Sequence, residues 1–295
     1  MKITGSLVLY CSRQDQFEAA ISNFLEAVPS GVLHVVDNSP VALESRLFAN
    51  PRVVFTHNGA NIGFGAAHNR AIKHACVDSD LHLILNPDIR FESNVLEQIS
   101  TMFAKDPQLV VAMPKIVYPD GSLQRLCKLL PTPTDLLIRR FVPLSRLRKK
   151  LDYRYEMHEL SQDEVSEVPT LSGCFLIARS SVLLEVGAFD ERYFMYMEDV
   201  DLVRRLATKG KALYVPSTTV IHEYAKGSYR NYRLLSYHVR SAIRYFNKWG
   251  WFFDAHRTTR NRSSMKNMRR TQSVLAAPRS AQHAVMLSSK KGQKA

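Results

Sequence analysis

No Cys-x-x-Cys pair, no run of apolar residues long enough to span a bilayer and no internal repeat occur in this chain of 295 residues. The four cysteines, Cys11, Cys76, Cys127 and Cys174, are widely spread and no secretory leader pattern precedes them. They read as reduced thiols in a cytosolic setting, not as a disulfide framework or a zinc site. A membrane-spanning helix needs roughly 18 uninterrupted apolar residues, so any membrane contact is expected to be peripheral. Acidic residues are missing altogether from His256 to Ala295, where ten Lys or Arg residues stand. That segment carries +10 of the formal charge of +13, leaves about +3 for the rest, lacks apolar periodicity and reads as a largely disordered basic tail over residues 255–295.

With 45% hydrophobic and 23% charged residues, the remainder has the composition of a folded α/β domain, expected over residues 1–254. Short apolar runs alternate with helical periodicity. Ile3–Tyr10 reads as a strand, and Phe17, Ala20, Ile21, Phe24, Leu25 and Val28 share one helical face. Val32–Val36, Arg52–Phe55 and Leu81–Leu85 read as further strands, with a helix from Gly65 to Cys76 and another capped by Ser93. Strands separated by helices imply a Rossmann-like, mostly parallel sheet flanked by helices, with ligands beyond the strands' carboxyl ends. After Val110–Met113 come a turn at Tyr118-Pro-Asp-Gly121 and a polar insertion. Strands near Val168–Leu171 and Cys174–Ala178, a helix from Glu198 to Thr208, and strands at Ala212–Val215 and Thr219–His222 complete the pattern. The change of rhythm divides the domain into residues 1–115 and residues 116–254.

Chemistry-bearing residues sit at the ends of these elements. Leu81-His-Leu-Ile-Leu-Asn-Pro-Asp88 ends a buried strand at a proline-stiffened turn, which places Asp88 where a hard divalent cation, Mg²⁺ or Mn²⁺, would meet substrate phosphates; a turn-capping Asp is the plainer alternative. Asp37 follows a buried strand in the same way. Asn61-Ile-Gly-Phe-Gly-Ala-Ala-His-Asn69 brings small residues to a loop entering a helix. This is not the Gly-x-Gly-x-x-Gly dinucleotide pattern, and close helix packing explains it equally. In Phe189-Asp-Glu-Arg-Tyr-Phe-Met-Tyr-Met-Glu-Asp-Val-Asp-Leu202 an aromatic loop delivers Glu198, Asp199 and Asp201 into a first helical turn. Acids there favour the helix dipole, and a desolvated one is suited to general-base work. His222 ends an apolar strand and gains interest beside Asp88.

In order, VVDNS, NIGFGAAHN, LNPD, FMYMEDVDL and IHE resemble the family 2 glycosyltransferases with a GT-A fold, most closely the bacterial rhamnosyltransferases of surface-polysaccharide assembly. The resemblance spans residues 3 to 247. It implies an inverting transfer of a sugar, L-rhamnose from dTDP-rhamnose, to a lipid-diphosphate-linked saccharide at the cytoplasmic face of the plasma membrane. It implies a donor site drawn from Tyr10, Ser12, Asp37, Asn61, Gly63, Phe64, Gly65, Asn69, Asn86 and Asp88, with Asn86 standing where the family's Asp-x-Asp element has its first Asp. It makes Asp199 the catalytic base, Asp88 and His222 the metal ligands, and Glu198, Asp201, Gly173 and Cys174 the acceptor side. A sugar-nucleotide pyrophosphorylase is the enzymatic alternative, distinguished by having no need of an acceptor.

Two surface partners compete for the cations. Arg and Tyr between Tyr229 and Tyr245 suggest nucleic acid, yet Tyr232, Leu235, Val239, Ala242, Ile243 and Phe246 fall at helical spacing and read as a buried face. Trp249-Gly-Trp-Phe-Phe253 directly before the tail favours an anionic membrane surface instead.

Overall fold

The computed structural model describes residues 1–138, 145–223 and 232–276. Its elements are β1 (Ile3–Leu9), α1 (Gln14–Ala27), β2 (Val32–Asp37), β3 (Val53–His57), α2 (Phe64–Ala75), β4 (Leu81–Leu85), β5 (Ile89–Phe91), α3 (Asn94–Lys105), β6 (Leu109–Val117), α4 (Ser145–Tyr155), β7 (Ser166–Glu167), β8 (Phe175–Arg179), α5 (Ser180–Glu185), α6 (Glu198–Leu206), β9 (Lys211–His222), α7 (Tyr232–Trp249) and α8 (Ala255–Ala276). One sheet runs β3-β2-β1-β4-β8-β6-β9-β5, with β7 added on β9. Pairing is parallel from β3 through β4 and again between β6 and β9, while β8 lies antiparallel between β4 and β6.

Every residue of β1 and β4 is buried, as near-continuous apolar runs covered by helices require. Phe17, Ile21 and Phe24 of α1 enter the core at the spacing of one helical face. Beneath α2 a polar file joins Thr4 Oγ1, His82, Ser6 Oγ and His68 through contacts of 2.9, 2.8 and 2.7 Å. Burial, with a smaller push from a neighbouring histidine, holds both rings neutral, pulling His82 down to about 3.

Register sets the site. Leu9 pairs with Asp37 and Leu7 with Leu85, so Tyr10, Asn38 and Asn86 leave the sheet along one edge. On the far side Ile89 pairs with His222, which brings the end of β9 to Asp88.

Four expectations are corrected. Ser93 makes no capping bond from its side chain, being itself in helical conformation. Val168–Leu171 is not a strand; the chain pairs at Ser166–Glu167, and Thr170 makes only a single bridge to Lys128. The two strands foreseen between Ala212 and His222 are one, because a bulge opposite Pro114 and Lys115 absorbs Pro216, Ser217 and Thr218 without ending the ladder. Residues 255–276 are helical, not disordered. Arg257 is buried, donating to the carbonyls of Pro131, Gly250, Trp251 and Phe252, and Asn261 clasps both backbone groups of Leu130. The helix is held by polar bonds rather than an apolar stripe, so hydrophobic periodicity gave no sign of it. Residues 277–295 and the polar loop with Lys226, Ser228 and Arg230 lie outside the described residues. In α7, Ala242 and Phe246 are buried as expected, whereas Tyr232 and Ile243 are exposed.

Candidate active site

Asp88 follows β4 and His222 ends β9, with Asp88 Oδ1 3.2 Å from His222 Nε2. Gln124, returned to this place by the turn at residues 118–121, fixes the orientation of the ring. Its amide nitrogen donates to the carbonyls of His222, at 2.8 Å, and Val117, so its oxygen, 2.9 Å from His222 Nδ1, accepts the ring proton. Nε2 thereby faces the Asp88 carboxylate. Asp88 Oδ1 and Asn86 Oδ1 are buried without a hydrogen-bond partner among the described residues. Asp88 Oδ1, Asn86 Oδ1 and a His222 ring whose orientation Gln124 fixes are oxygen and nitrogen donors that a divalent cation fits. Among the described residues no group of three or more His, Cys, Asp or Glu gathers, so phosphate oxygens would complete the sphere.

Across from this pair stands the start of α6. Tyr196 and Met197 both have φ of +69°, a left-handed conformation costly for side-chain-bearing residues, and they turn the aromatic loop into the helix. Gly173 N–H donates to Asp199 Oδ2 at 3.0 Å and Val200 N–H to Oδ1 at 2.8 Å. Burial raises the Asp199 pKa above the ordinary carboxylate range, while those two amides and the charge of Lys128 act the other way. Cys174 is buried and its thiol is pushed up to about 12, first by burial and in part by the charges of Asp88 and Asp199. The thiol is thus a packed group and not a nucleophile, and the Gly173-Cys174 backbone joins the two centres by bonding to Asp199 and to Asn86 N–H. A Cβ on Gly173 would meet Asp199 Cβ at 3.2 Å and the Phe64 ring at 3.4 Å, so that position keeps space beside the base.

Glu198 is 7% exposed and its Oε2 has no hydrogen-bond partner among the described residues; burial and then the charge of Asp199 hold its carboxyl well above the usual range. Its folded pKa exceeds the unfolded 4.5, so the native state keeps a proton the unfolded state releases. Its contribution to stability therefore falls as pH rises above 4.5 through the folded value. Glu198→Gln is expected to raise the urea midpoint at about pH 8 and to lose that advantage as pH approaches the unfolded value. A midpoint difference that stays constant with pH would contradict the buried neutral acid.

On the donor side, Gly63 has φ of +96° and a Cβ there would meet the Phe194 carbonyl at 2.6 Å. That carbonyl accepts from Phe64 N–H, tying the donor loop to the aromatic loop. Gly63→Ala should destabilise the fold by about 1–3 kcal/mol and weaken donor binding, read by urea unfolding and nucleotide titration. Asn61 Oδ1 accepts from Gly63 N–H at 3.0 Å, and Asn38, unremarked in the sequence, bridges Asn58, Asn61 and Gly63. Tyr10 is exposed at the end of β1, and Ser12 Oγ accepts its backbone N–H.

Four expected site residues make scaffold contacts. Asn69 is buried and clasps Phe189 through both backbone groups, also reaching Glu191, so it joins two segments rather than facing a donor. Gly65 packs against Phe189, where a Cβ would come within 2.8 Å. Asp201 is wholly buried; its carboxylate accepts from Arg205, Trp249 and Lys248, which fastens α7 to α6 and leaves nothing for an acceptor. Asp37 is likewise wholly buried, its oxygens accepting from Ser39 and Leu43 N–H, so it shapes the loop after β2 from below. Gln124 and Lys128 are the site residues that sequence reading missed, because neither lies in a motif and only the hairpin return brings them in.

No family model matches the chain. It is 34% identical over 210 residues to N-acetylglucosaminyl-diphospho-decaprenol L-rhamnosyltransferase of Mycobacterium tuberculosis, an alignment covering 66% of each chain. It is 28% identical over 202 residues to rhamnosyltransferase WbbL of Escherichia coli, covering 64% of this chain and 71% of that one. In structure it matches the mannosyltransferase PcManGT of Pyrobaculum calidifontis, solved with GDP-Man and Mn²⁺, with a TM-score of 0.55 and 16% identity over 99% of this chain and 80% of that chain. Sheet and site thus define a GT-A glycosyltransferase fold. Within that class, the chain belongs to the rhamnosyltransferase-like glycosyltransferases. It spans about two thirds, 66%, of the length of the mycobacterial relative.

Proposed function

We propose that this protein is an inverting glycosyltransferase that moves L-rhamnose from dTDP-rhamnose to a saccharide carried on a lipid diphosphate, in the assembly of a surface polysaccharide. The observation that carries the reading is the half-buried Asp199, held by the Gly173 amide, while the carbonyl of the next residue, Cys174, accepts from Asn86 N–H beside the Asp88–His222 pair. A base on one side and a phosphate-binding pair on the other suit in-line displacement at an anomeric carbon. Asp199 takes the proton of the acceptor hydroxyl as that oxygen bonds to the anomeric carbon from the face opposite the leaving group. The carbon–oxygen bond to the nucleotide diphosphate breaks, its electron pair leaves with the diphosphate, and the anomeric centre inverts. Burial raises the base toward working pH, and Lys128 stabilises its anion. Asp88 and His222 would hold a divalent cation, Mg²⁺ or Mn²⁺, with Asn86 beside them, and such an ion would neutralise charge on the departing diphosphate.

The mycobacterial relative's name specifies a lipid-diphosphate acceptor, which supports a reaction at a membrane surface, here the cytoplasmic face of the plasma membrane. No described helix is long and apolar enough to cross a membrane, so association there is peripheral in this reading. The test is release of nucleotide diphosphate from a panel of sugar nucleotides, with and without metal and a short-chain lipid-diphosphate sugar. Acceptor-dependent release from dTDP-rhamnose is expected. Release independent of acceptor would favour a pyrophosphorylase or hydrolase, and release from another donor would revise the sugar.

A further inference from the structure

Between α7 and α8 the chain displays two phenylalanines to solvent, Phe252 at 80% and Phe253 at 96% exposure. They are not on a loose loop. Gly250, with φ of +100°, starts the turn, and Trp251 packs on Phe246 with ring centroids 5.1 Å apart. The guanidinium of Arg257 ties down the carbonyls of Gly250, Trp251 and Phe252, and Asp254 is fixed by a buried bond to Arg204 at 2.7 Å. A turn this well anchored that still leaves two aromatic side chains in water has a surface to meet.

The neighbouring surface is cationic. Arg257 also bonds to Pro131, and next to it an open cleft of about 580 Å³ is lined by Arg154 of α4, by Arg262 and Lys266 of α8, and by Thr132, Thr258 and Asn261. Arg146, Arg148, Lys149 and Lys150 stand exposed on α4, which joins α8 along this cleft. No acidic residue follows Asp254 in the chain. Apolar rings beside an open cleft lined by cations and hydroxyls match the two chemistries of an anionic bilayer, acyl chain and headgroup phosphate.

We infer that this folded patch, rather than the basic segment after residue 276, docks the protein on an anionic phospholipid bilayer. Phe252 and Phe253 enter the interface, while Arg154, Arg262 and Lys266 bind headgroup phosphates. The inference adds a docking surface to the proposed lipid-linked reaction and is read without assuming it.

The test uses the full chain and sucrose-loaded vesicles of equimolar phosphatidylglycerol and phosphatidylcholine, with pure phosphatidylcholine as control. Sedimentation with the anionic vesicles only is expected. Replacing Arg154, Arg262 and Lys266 together by Ala should weaken it about a hundredfold, each cation near a charged surface contributing about a factor of five. Phe252→Ser with Phe253→Ser should weaken it by about tenfold or more. Lys290→Ser, Lys291→Ser and Lys294→Ser together should leave it unchanged. Loss caused by the tail substitutions alone, equal binding by the patch variants, or saturable binding of inorganic diphosphate without vesicle binding would each overturn the inference. All the altered side chains but that of Arg154 lie after residue 250, and none belongs to the site. Nucleotide release with a short-chain acceptor in solution should therefore match the native protein, which separates a failure here from a failure of the transferase reading.

Discussion

Asp199→Asn should lower acceptor-dependent turnover between about 10²- and 10⁴-fold, the range a general base contributes, while leaving affinity for the nucleotide sugar close to native. The substitution keeps the side chain's shape and one of the two oxygens that accept from Gly173 and Val200, and it removes the charge that makes the group a base. In the native enzyme, burial sets the Asp199 carboxyl above the ordinary range, so the acid limb of the kcat/KM profile should lie above that range as well. Activity falls as pH drops through this value, because the protonated acid accepts no proton. Lys128→Ala removes a charge that favours the anion and should shift the limb further up. Native turnover in Asp199→Asn, or a limb at the value of a free carboxylate, would remove Asp199 from the base's role.

The second large effect lies away from the chemistry. Arg204 and Asp254 form an ion pair with side-chain exposures of 1% and 2%, and Arg204 also donates to Tyr245 Oη and lies 4.0 Å over the Trp249 ring. Asp254 accepts from Arg257 N–H at the start of α8 as well. Asp254→Ala leaves a guanidinium buried without its counter-charge and frees the first turn of α8. Destabilisation by about 3–5 kcal/mol is expected in urea unfolding. Arg204→Met combined with Asp254→Leu should recover much of that loss, because it removes both desolvated charges at once. A double variant as unstable as the sum of the single ones would show that the partners act independently.

The two effects separate what each level of description holds. From the chain alone, short apolar runs and amphipathic stretches marked out β1, α1, β2, β4 and α6, since burial between helices and sheet leaves such a signature. The acids and the histidine at the ends of such runs were legible for the same reason: in a parallel sheet, strand ends are where ligands meet the protein. Asp88 and His222 were reached in this way, whereas Asp199 was reached from the aromatic loop that enters a first helical turn and from the family resemblance. Helix α8 was not, because polar bonds from Arg257 and Asn261 hold it and those carry no period.

Only the folded chain decided which members of each motif face the site. Asn69, Gly65 and Asp201 belong to the same strings as the working residues, yet Asn69 spends its amide on Phe189, Gly65 packs under that ring's Cβ, and Asp201 binds α7. Gln124 and Lys128 come in from a hairpin that no spacing announces. The sequence by itself determined the fold class and the chemistry at the strand ends, because both follow from local burial. Tertiary structure alone decided which carboxylates stay free to react, because that depends on partners distant in sequence: Asp201 finds its partners at Trp249 and Lys248, while Asp199, two residues earlier, keeps its place beside Gly173.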